Sequence, residues 1–204
     1  MVAIIDYEAG NIGSIKNMLK KIGHDAVITS AVEDIEKADR LILPGVGSFD
    51  YGLSKLKDLG LLDVLNRKKA AGVPILGICL GAQLMCESSE EGKLPGLGWI
   101  KGRVLRFPVQ KNGRKYTVPH MGWDEVRIRK NSPIFSGIAE PARFYFVHSY
   151  FIHCDQEQDV LTDNIYSTEY HSAFEKDNIV GVQYHPEKSH KFGKQLLKNF
   201  MQKS

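Results

Sequence analysis

Two short stretches carry the residue types that nucleophilic acyl chemistry needs. In the first, Gly77-Ile78-Cys79-Leu80-Gly81, a thiol stands between an apolar β-like run over 74–78 and a helix-like run over 82–86. This is the strand, sharp turn and helix of a nucleophile elbow, with cysteine in the place of serine. So tight a turn leaves no room for Cβ atoms on either side, which gives the glycines two before and two after the thiol a steric reason. Backbone N–H groups at a helix start favour an anion, and thiolate is the reactive form of cysteine. In the second stretch, Gln183-Tyr184-His185-Pro186-Glu187-Lys188-Ser189, the proline disfavours helical angles at His185. The tripeptide His185-Pro186-Glu187 is therefore predicted to be extended, with its first and third side chains on one side. Glu187 can then fix the tautomer of His185 and stabilise the imidazolium, the part an acid plays in a triad. The two stretches lie far apart in the chain, so Cys79 and His185 act together only if the fold joins them. Taken singly, each has a plainer reading: a buried cysteine, and a surface turn ahead of the last helix.

Positioning falls to the elements around them. Residues 2–6, 25–28, 40–43 and 74–78 read as short apolar strands that alternate with helical runs over 12–22 and 53–71. Ile12, Ile15, Met18, Leu19 and Ile22 recur at helical spacing, and Gly23 stands where a C-terminal cap belongs. Continuous apolar runs such as Leu41-Ile42-Leu43 fit parallel strands covered on both faces. Over 99–182 the pattern changes to β-like segments at 99–107, 115–118, 123–128, 143–154, 165–170 and 179–184, with a short amphipathic helix at 191–201. The expected fold is α/β: an open, mostly parallel, flavodoxin-like sheet flanked by helices, with antiparallel hairpin additions, in a single domain over 1–204.

Composition narrows the function. With 43% apolar and 25% charged residues the chain is of ordinary soluble globular type. A net charge of +3 is too near balance to suggest a nucleic-acid partner. No apolar run reaches bilayer-spanning length and no basic leader precedes the first strand, so neither membrane nor export is expected. Three cysteines without CxxC spacing suit a reducing cytoplasm, and Cys86 and Cys154, lacking the elbow context, are expected to be packing residues. The other histidines, at 24, 120, 148, 153, 171 and 190, show no ligand-like spacing, so no metal or other cofactor is implied.

The elbow and the distant His-Pro-Glu together resemble the class I, or triad-type, glutamine amidotransferases. Within them the chain looks like the branch that serves as glutaminase subunit of imidazole glycerol phosphate synthase, in histidine biosynthesis, beside a barrel cyclase. Asp6-Tyr7 with Gly10-Asn11, Pro44-Gly45-Val46-Gly47-Ser48-Phe49, Pro119-His120-Met121-Gly122-Trp123 and Phe146-Val147-His148-Ser149-Tyr150 carry the likeness along nearly the whole chain. The resemblance implies that Cys79 attacks the glutamine carboxamide to form a thioester while His185 shuttles protons and Glu187 orients it. It implies oxyanion donors at Leu80 N–H and in the Gly45-Val46-Gly47 backbone, and substrate contacts at Gln83, Glu91, Ser149 and Tyr150. Asn11, Trp123 and Lys188 match the surface that meets the cyclase and lines an ammonia route. Two departures stand out, Glu8 where the family has Gly and Asp124 where it has Asn. They leave open a paralogue feeding ammonia to another synthase, as in surface-sugar biosynthesis. An autonomous cysteine γ-glutamyl hydrolase and a non-catalytic subunit are the remaining alternatives.

Overall fold

In the computed structural model, which describes residues 1–203, the apolar runs of the first half become β1 (Val2–Ile5), β2 (Ala26–Thr29), β3 (Arg40–Gly45) and β4 (Ile75–Cys79). Between and after them lie α1 (Ile12–Lys21), α2 (Val32–Lys37), α3 (Phe49–Asp58), α4 (Leu61–Ala70) and α5 (Leu80–Leu84). The second half supplies β5 (Ser88–Ser89), β6 (Gly102–Arg106), β7 (Gln110–Lys111), β8 (Arg114–Lys115), β9 (His120–Glu125) and β10 (Arg127–Ile128). It continues with β11 (Arg143–His148), β12 (Tyr150–Cys154), β13 (Val160–Ile165), β14 (Glu169–Lys176), β15 (Ile179–Val182) and α6 (His190–Gln202).

Strand order in the main sheet is β2-β1-β3-β4-β15-β14-β12-β6-β5, with β13 and β10 branching from β14. The first five pair in parallel, the flavodoxin-like order with β15 in fifth place. From β15 onward the pairing turns antiparallel through β14, β12 and β6. Beside the sheet, β9 and β11 form a two-stranded antiparallel ribbon.

Period-two alternation divides the core into two layers. Ala3, Ile5, Leu41, Leu43 and Ile75 face the helices α2, α3 and α4, through Ile35, Leu53, Leu56 and Leu65. Val2, Ile4, Ile42, Leu76 and Ile78 face α1 and α6, through Ile15, Leu19, Leu196, Leu197 and Phe200. Every residue of β1, β4 and β15 is buried, as strands covered on both faces must be. The three strand ends that matter later, those of β3, β4 and β15, are therefore fixed from above and below.

The expected α/β class, mostly parallel central sheet and antiparallel hairpin additions are found, and the turn after α1 falls at Gly23 with φ of +86° as its sequence suggests. Boundaries differ in places. The run over 53–71 is two helices, because Gly60 at φ +67° turns the chain between α3 and α4. The run over 143–154 is two strands in two different sheets, broken at Ser149. Residues 165–170 are the end of β13, the turn over 166–168 and the start of β14, and β13 itself, with Thr162, Asp163 and Asn164 all buried, has neither a continuous nor an alternating apolar run. The short α2 was also missed.

Gly181 shows how closely β15 is held: it pairs across the ladder with Phe174, and a Cβ there would fall 2.1 Å from the Phe174 ring. Gly181→Ala should cost about 1–3 kcal/mol by forcing that ring aside, measured as a lower urea midpoint at unchanged slope. An unshifted midpoint would show that the ring moves freely.

Candidate active site

The elbow is built by close backbone approach. Cys79 closes β4 with φ +53° and ψ −112° and caps α5, a conformation that L residues rarely hold and that surrounding structure must enforce. A Cβ on Gly81 would lie 1.7 Å from the Leu43 carbonyl oxygen, and one on Gly77 would lie 2.8 Å from the backbone of Ala82. The helix that follows starts two residues earlier than expected and is short: it spans Leu80–Leu84, and Met85 and Cys86 close it by turning back to Ala82 and Gln83. With so few residues its macrodipole is small, and what remains to hold an anion is the free N–H of its first residue, Leu80.

His185 arrives from the neighbouring strand. It follows β15, which pairs Val182 with Ile78 of β4, so the imidazole and the thiol emerge at the same edge of the sheet. Its Nδ1 is 2.8 Å from Glu187 Oε1, with both side chains about 3% exposed. The contact exists for a reason partly different from the one expected. His185 is extended (φ −104°, ψ 95°), but Pro186 opens a 3-10 turn over Pro186–Lys188 rather than continuing the strand, since its ring presets φ for a first helical position. The turn is clamped by Ser189, whose hydroxyl donates to the His185 carbonyl at 2.6 Å and accepts the Tyr145 N–H at 3.0 Å.

The second ring nitrogen, Nε2, is buried and makes no well-aligned hydrogen bond, yet the Cys79 sulfur is near enough to raise the ring's pKa. Burial, the largest single influence, pulls the His185 pKa down. The Cys79 sulfur and the Glu187 carboxylate together outweigh it and push the value up to about 10. The arrangement favours a charged imidazolium beside the Cys79 sulfur, and thiolate is the form in which a cysteine attacks carbonyl carbon.

A cavity of about 280 Å³ opens over the thiol and is lined by Cys79, Leu80, Val46, Gly47, Gln83, Glu91, Ser149 and Tyr150, together with Pro119, Val147 and His148. All the expected oxyanion and substrate positions thus stand on one wall system. Glu91 accepts the Phe49 N–H at 2.8 Å, and burial raises its pKa. Gln83 spends both amide hydrogens on the protein, on the Tyr150 carbonyl and on Gln183 Oε1, each at 3.0 Å. His185 and Glu187 lie behind this cavity, on a small one of about 20 Å³ that they share with Asn11, Lys188 and Val46. Trp123 stands apart, stacked 5.3 Å from His190 on an open groove with Arg143, Lys191 and Phe192. Tyr145 links the two, its ring 6.2 Å from Trp123 and 5.7 Å from the Lys188 amine.

Two neighbours of the thiol had no role assigned from sequence. Gln183, fully buried, points Nε2 at Cys79 Sγ from 3.7 Å; its place two residues before His185, on the same strand face, is the signal that could have found it. Tyr7 is also fully buried, and its unpartnered hydroxyl fills the space where a Gly45 Cβ would be. Burial, with a smaller contribution from the nearby Cys79 sulfur, pushes its pKa up. Of the other thiols, burial raises Cys154 to about 12 and Cys86 well above its ordinary value, which leaves them inert. Among the described residues no cluster of His, Cys, Asp or Glu would hold a metal ion and no helix is long and apolar enough to cross a membrane.

The model of the family described as glutamine amidotransferase class-I matches residues 3–204. The chain belongs to that family. It is 52% identical to imidazole glycerol phosphate synthase subunit HisH 2 of Methanococcus maripaludis, with 100% of both chains covered. It is 48% identical to the HisH 2 subunit of Pseudomonas aeruginosa, with 99% of both covered, and 45% to the HisH subunit of Sulfurimonas denitrificans, with 98% and 97% covered. Among solved structures, a glutamine amidotransferase superposes at a TM-score of 0.76 with 19% identity, covering 99% of this chain and 98% of the other. PurLQS of Thermotoga maritima superposes at 0.71 with 17% identity, covering 98% and 97%. Both share the fold.

Against the class I amidotransferase pattern the two departures have different footings. Glu8 adopts φ +62°, the region that favours glycine, and pairs with Lys55. Asp124 accepts the Glu125 N–H at 2.9 Å and an Asn164 amide hydrogen at 3.2 Å, and stands 3.7 Å from His120 Nε2.

Because Glu187 helps hold the His185 pKa near 10, Glu187→Gln should bring it down. The imidazolium, present in the parent up to that pH, would then be lost at lower pH, as followed by His185 ring resonances. An unchanged titration would remove Glu187 from the pair.

Proposed function

We propose that the chain is a glutaminase subunit that hydrolyses glutamine to glutamate and ammonia by Cys79, His185 and Glu187, and passes the ammonia to a synthase partner. The carrying observation is the convergence, at neighbouring strand ends, of a thiol on a strained elbow and an imidazole held charged by a buried carboxylate. Cys79 Sγ attacks the carboxamide carbon, and the carbonyl oxygen takes up the electron pair. Leu80 N–H and the Val46 and Gly47 backbone meet that oxyanion, where losing one donor costs about 2.7–4 kcal/mol. As the tetrahedral adduct collapses, the His185 imidazolium gives its proton to the leaving nitrogen and ammonia departs, leaving a thioester and a neutral imidazole. Water then attacks with His185 taking its proton, and the second adduct expels the thiolate and releases glutamate. Glu91, Ser149, Tyr150 and Gln83 line the space for the amino-acid end of the substrate.

The partner reading follows the relatives, which are named as subunits of imidazole glycerol phosphate synthase: the chain pairs with a barrel cyclase in histidine biosynthesis. Asn11 and Lys188 beside the back of His185, and the exposed apolar Met121 and Trp123 on β9, support a docking face on that side. Three free thiols suit a reducing, cytoplasmic setting. A second reading keeps the chemistry and changes the acceptor. It is favoured by the names of two relatives, each a second, numbered HisH, and by Glu8 and Asp124.

Glutamate release should rise on adding a barrel cyclase with its nucleotide ligand, and Cys79→Ala should abolish it. Turnover by Cys79→Ala would end the mechanism. Stimulation by a different synthase, and not by the histidine-pathway cyclase, would decide for the second reading.

A further inference from the structure

One ring on the wall of the larger cavity has no part in the mechanism above. His148, the last residue of β11, is 6% exposed and lines the cavity next to Ser149 and Tyr150. Its Nδ1 lies 2.8 Å from the Tyr150 carbonyl oxygen. A carbonyl only accepts, so Nδ1 carries the proton and Nε2 a lone pair. Nε2 is buried and has no partner.

The same Tyr150 oxygen accepts Gln83 Nε2 at 3.0 Å. Two side chains, one from α5 just after the nucleophile and one from the end of β11, therefore converge on a single backbone oxygen. That oxygen sits where the chain most needs fixing: Ser149 belongs to neither strand, and the path crosses there from the β9–β11 ribbon to the main sheet.

The charge state is set by packing. Phe107, Phe146 and Tyr170 stand 5.1, 5.6 and 5.5 Å from the imidazole. Burial pushes the His148 pKa down to about 3; the Tyr150 carbonyl opposes this and the neighbouring His120 and His185 add to it.

We propose that His148 is a positioning residue for the substrate: locked as the neutral Nδ1–H tautomer, it and Gln83 clamp the Tyr150 carbonyl so that the Ser149–Tyr150 backbone stands ready for the amino-acid end of glutamine. The proposal rests on the glutaminase reading and deepens it. The clamp touches the binding wall and not the sulfur, so its loss weakens substrate binding and leaves the nucleophile intact.

His148→Phe keeps a ring without the donor, and His148→Asn places an amide N–H close to where Nδ1–H stands. With the synthase partner present, the Phe variant should raise KM for glutamine about tenfold or more and hold kcat within roughly threefold. Its Cys79 alkylation by iodoacetamide should keep the parent rate, and the Asn variant should return KM to within roughly threefold of the parent. An unchanged KM in the Phe variant, a fall in kcat alone, or a KM rise that Asn shares in full would each overturn the clamp. If the Phe variant does not fold, nitrogen-15 resonances of the unsubstituted protein decide: Nδ1–H that does not titrate between about pH 5 and 9 is expected, and an Nε2–H tautomer or a titration in that range refutes it. Failure of the glutaminase reading would look different, as absent turnover in the unsubstituted protein with any synthase while the tautomer remains readable.

Discussion

A backbone-on-backbone contact, the turn at Cys79 pressed against the end of β3, sets where every other part of the site can stand. Gly81 comes so close to the Leu43 carbonyl that a Cβ would sit at 1.7 Å. Holding cysteine at φ +53° costs on the order of 1–3 kcal/mol. That strain is tolerated because β4 is buried along its whole length between parallel neighbours. The same ladder pairs Gly45 with Cys79 and Val182 with Ile78. Once the elbow is seated, the loop after β3 and the chain after β15 are delivered to the same edge with no freedom left over. Ligand sites outside the carboxyl ends of parallel strands are the general consequence of this architecture.

Selectivity among like groups then follows from what each is buried against. All three thiols are buried, but Cys86 and Cys154 lie in the apolar layers, where burial holds them protonated. Cys79 alone lines the cavity and faces a ring whose pKa its own sulfur and the Glu187 carboxylate raise. The histidines divide the same way. His185 has a carboxylate at 2.8 Å, whereas burial drives His148 and His120 toward the neutral form among aromatic rings. One imidazole keeps its proton for transfer while burial keeps its neighbours uncharged.

The chain discloses this unevenly. Spacing around Cys79 and at His185-Pro186-Glu187 is legible because sterics dictate it: the glycines answer to a turn with no room, and the proline to a fixed φ. Even there the reason can mislead, since Pro186 starts a 3-10 turn and not an extended tripeptide. Parallel strands are legible because burial on both faces writes a continuous apolar run. β13 is not, because Thr162, Asp163 and Asn164 are buried through hydrogen bonds and ion pairs, such as Asp163 with Arg129 at 2.9 Å, and polar burial has no period. Gln183 and Tyr7 were overlooked for a related reason: their contacts with the thiol and with Gly45 exist only after long-range pairing.

Glu8 and Asp124 separate what serves the chemistry from what serves its surroundings. Asp124 is woven into its own chain, taking hydrogen bonds from Glu125 and Asn164, so local structure accounts for it. Glu8 has less: its own N–H on Asp6 at 3.1 Å and an ion pair with Lys55. A non-glycine residue in the left-handed region costs about 1 kcal/mol, and an exposed ion pair such as the one with Lys55 returns little. Folding of the isolated chain would be better served by glycine there. Exposed and in the segment that leads to Asn11 at the back of His185, Glu8 contributes little to holding the chain, and the elbow, the imidazole and its carboxylate stand without it.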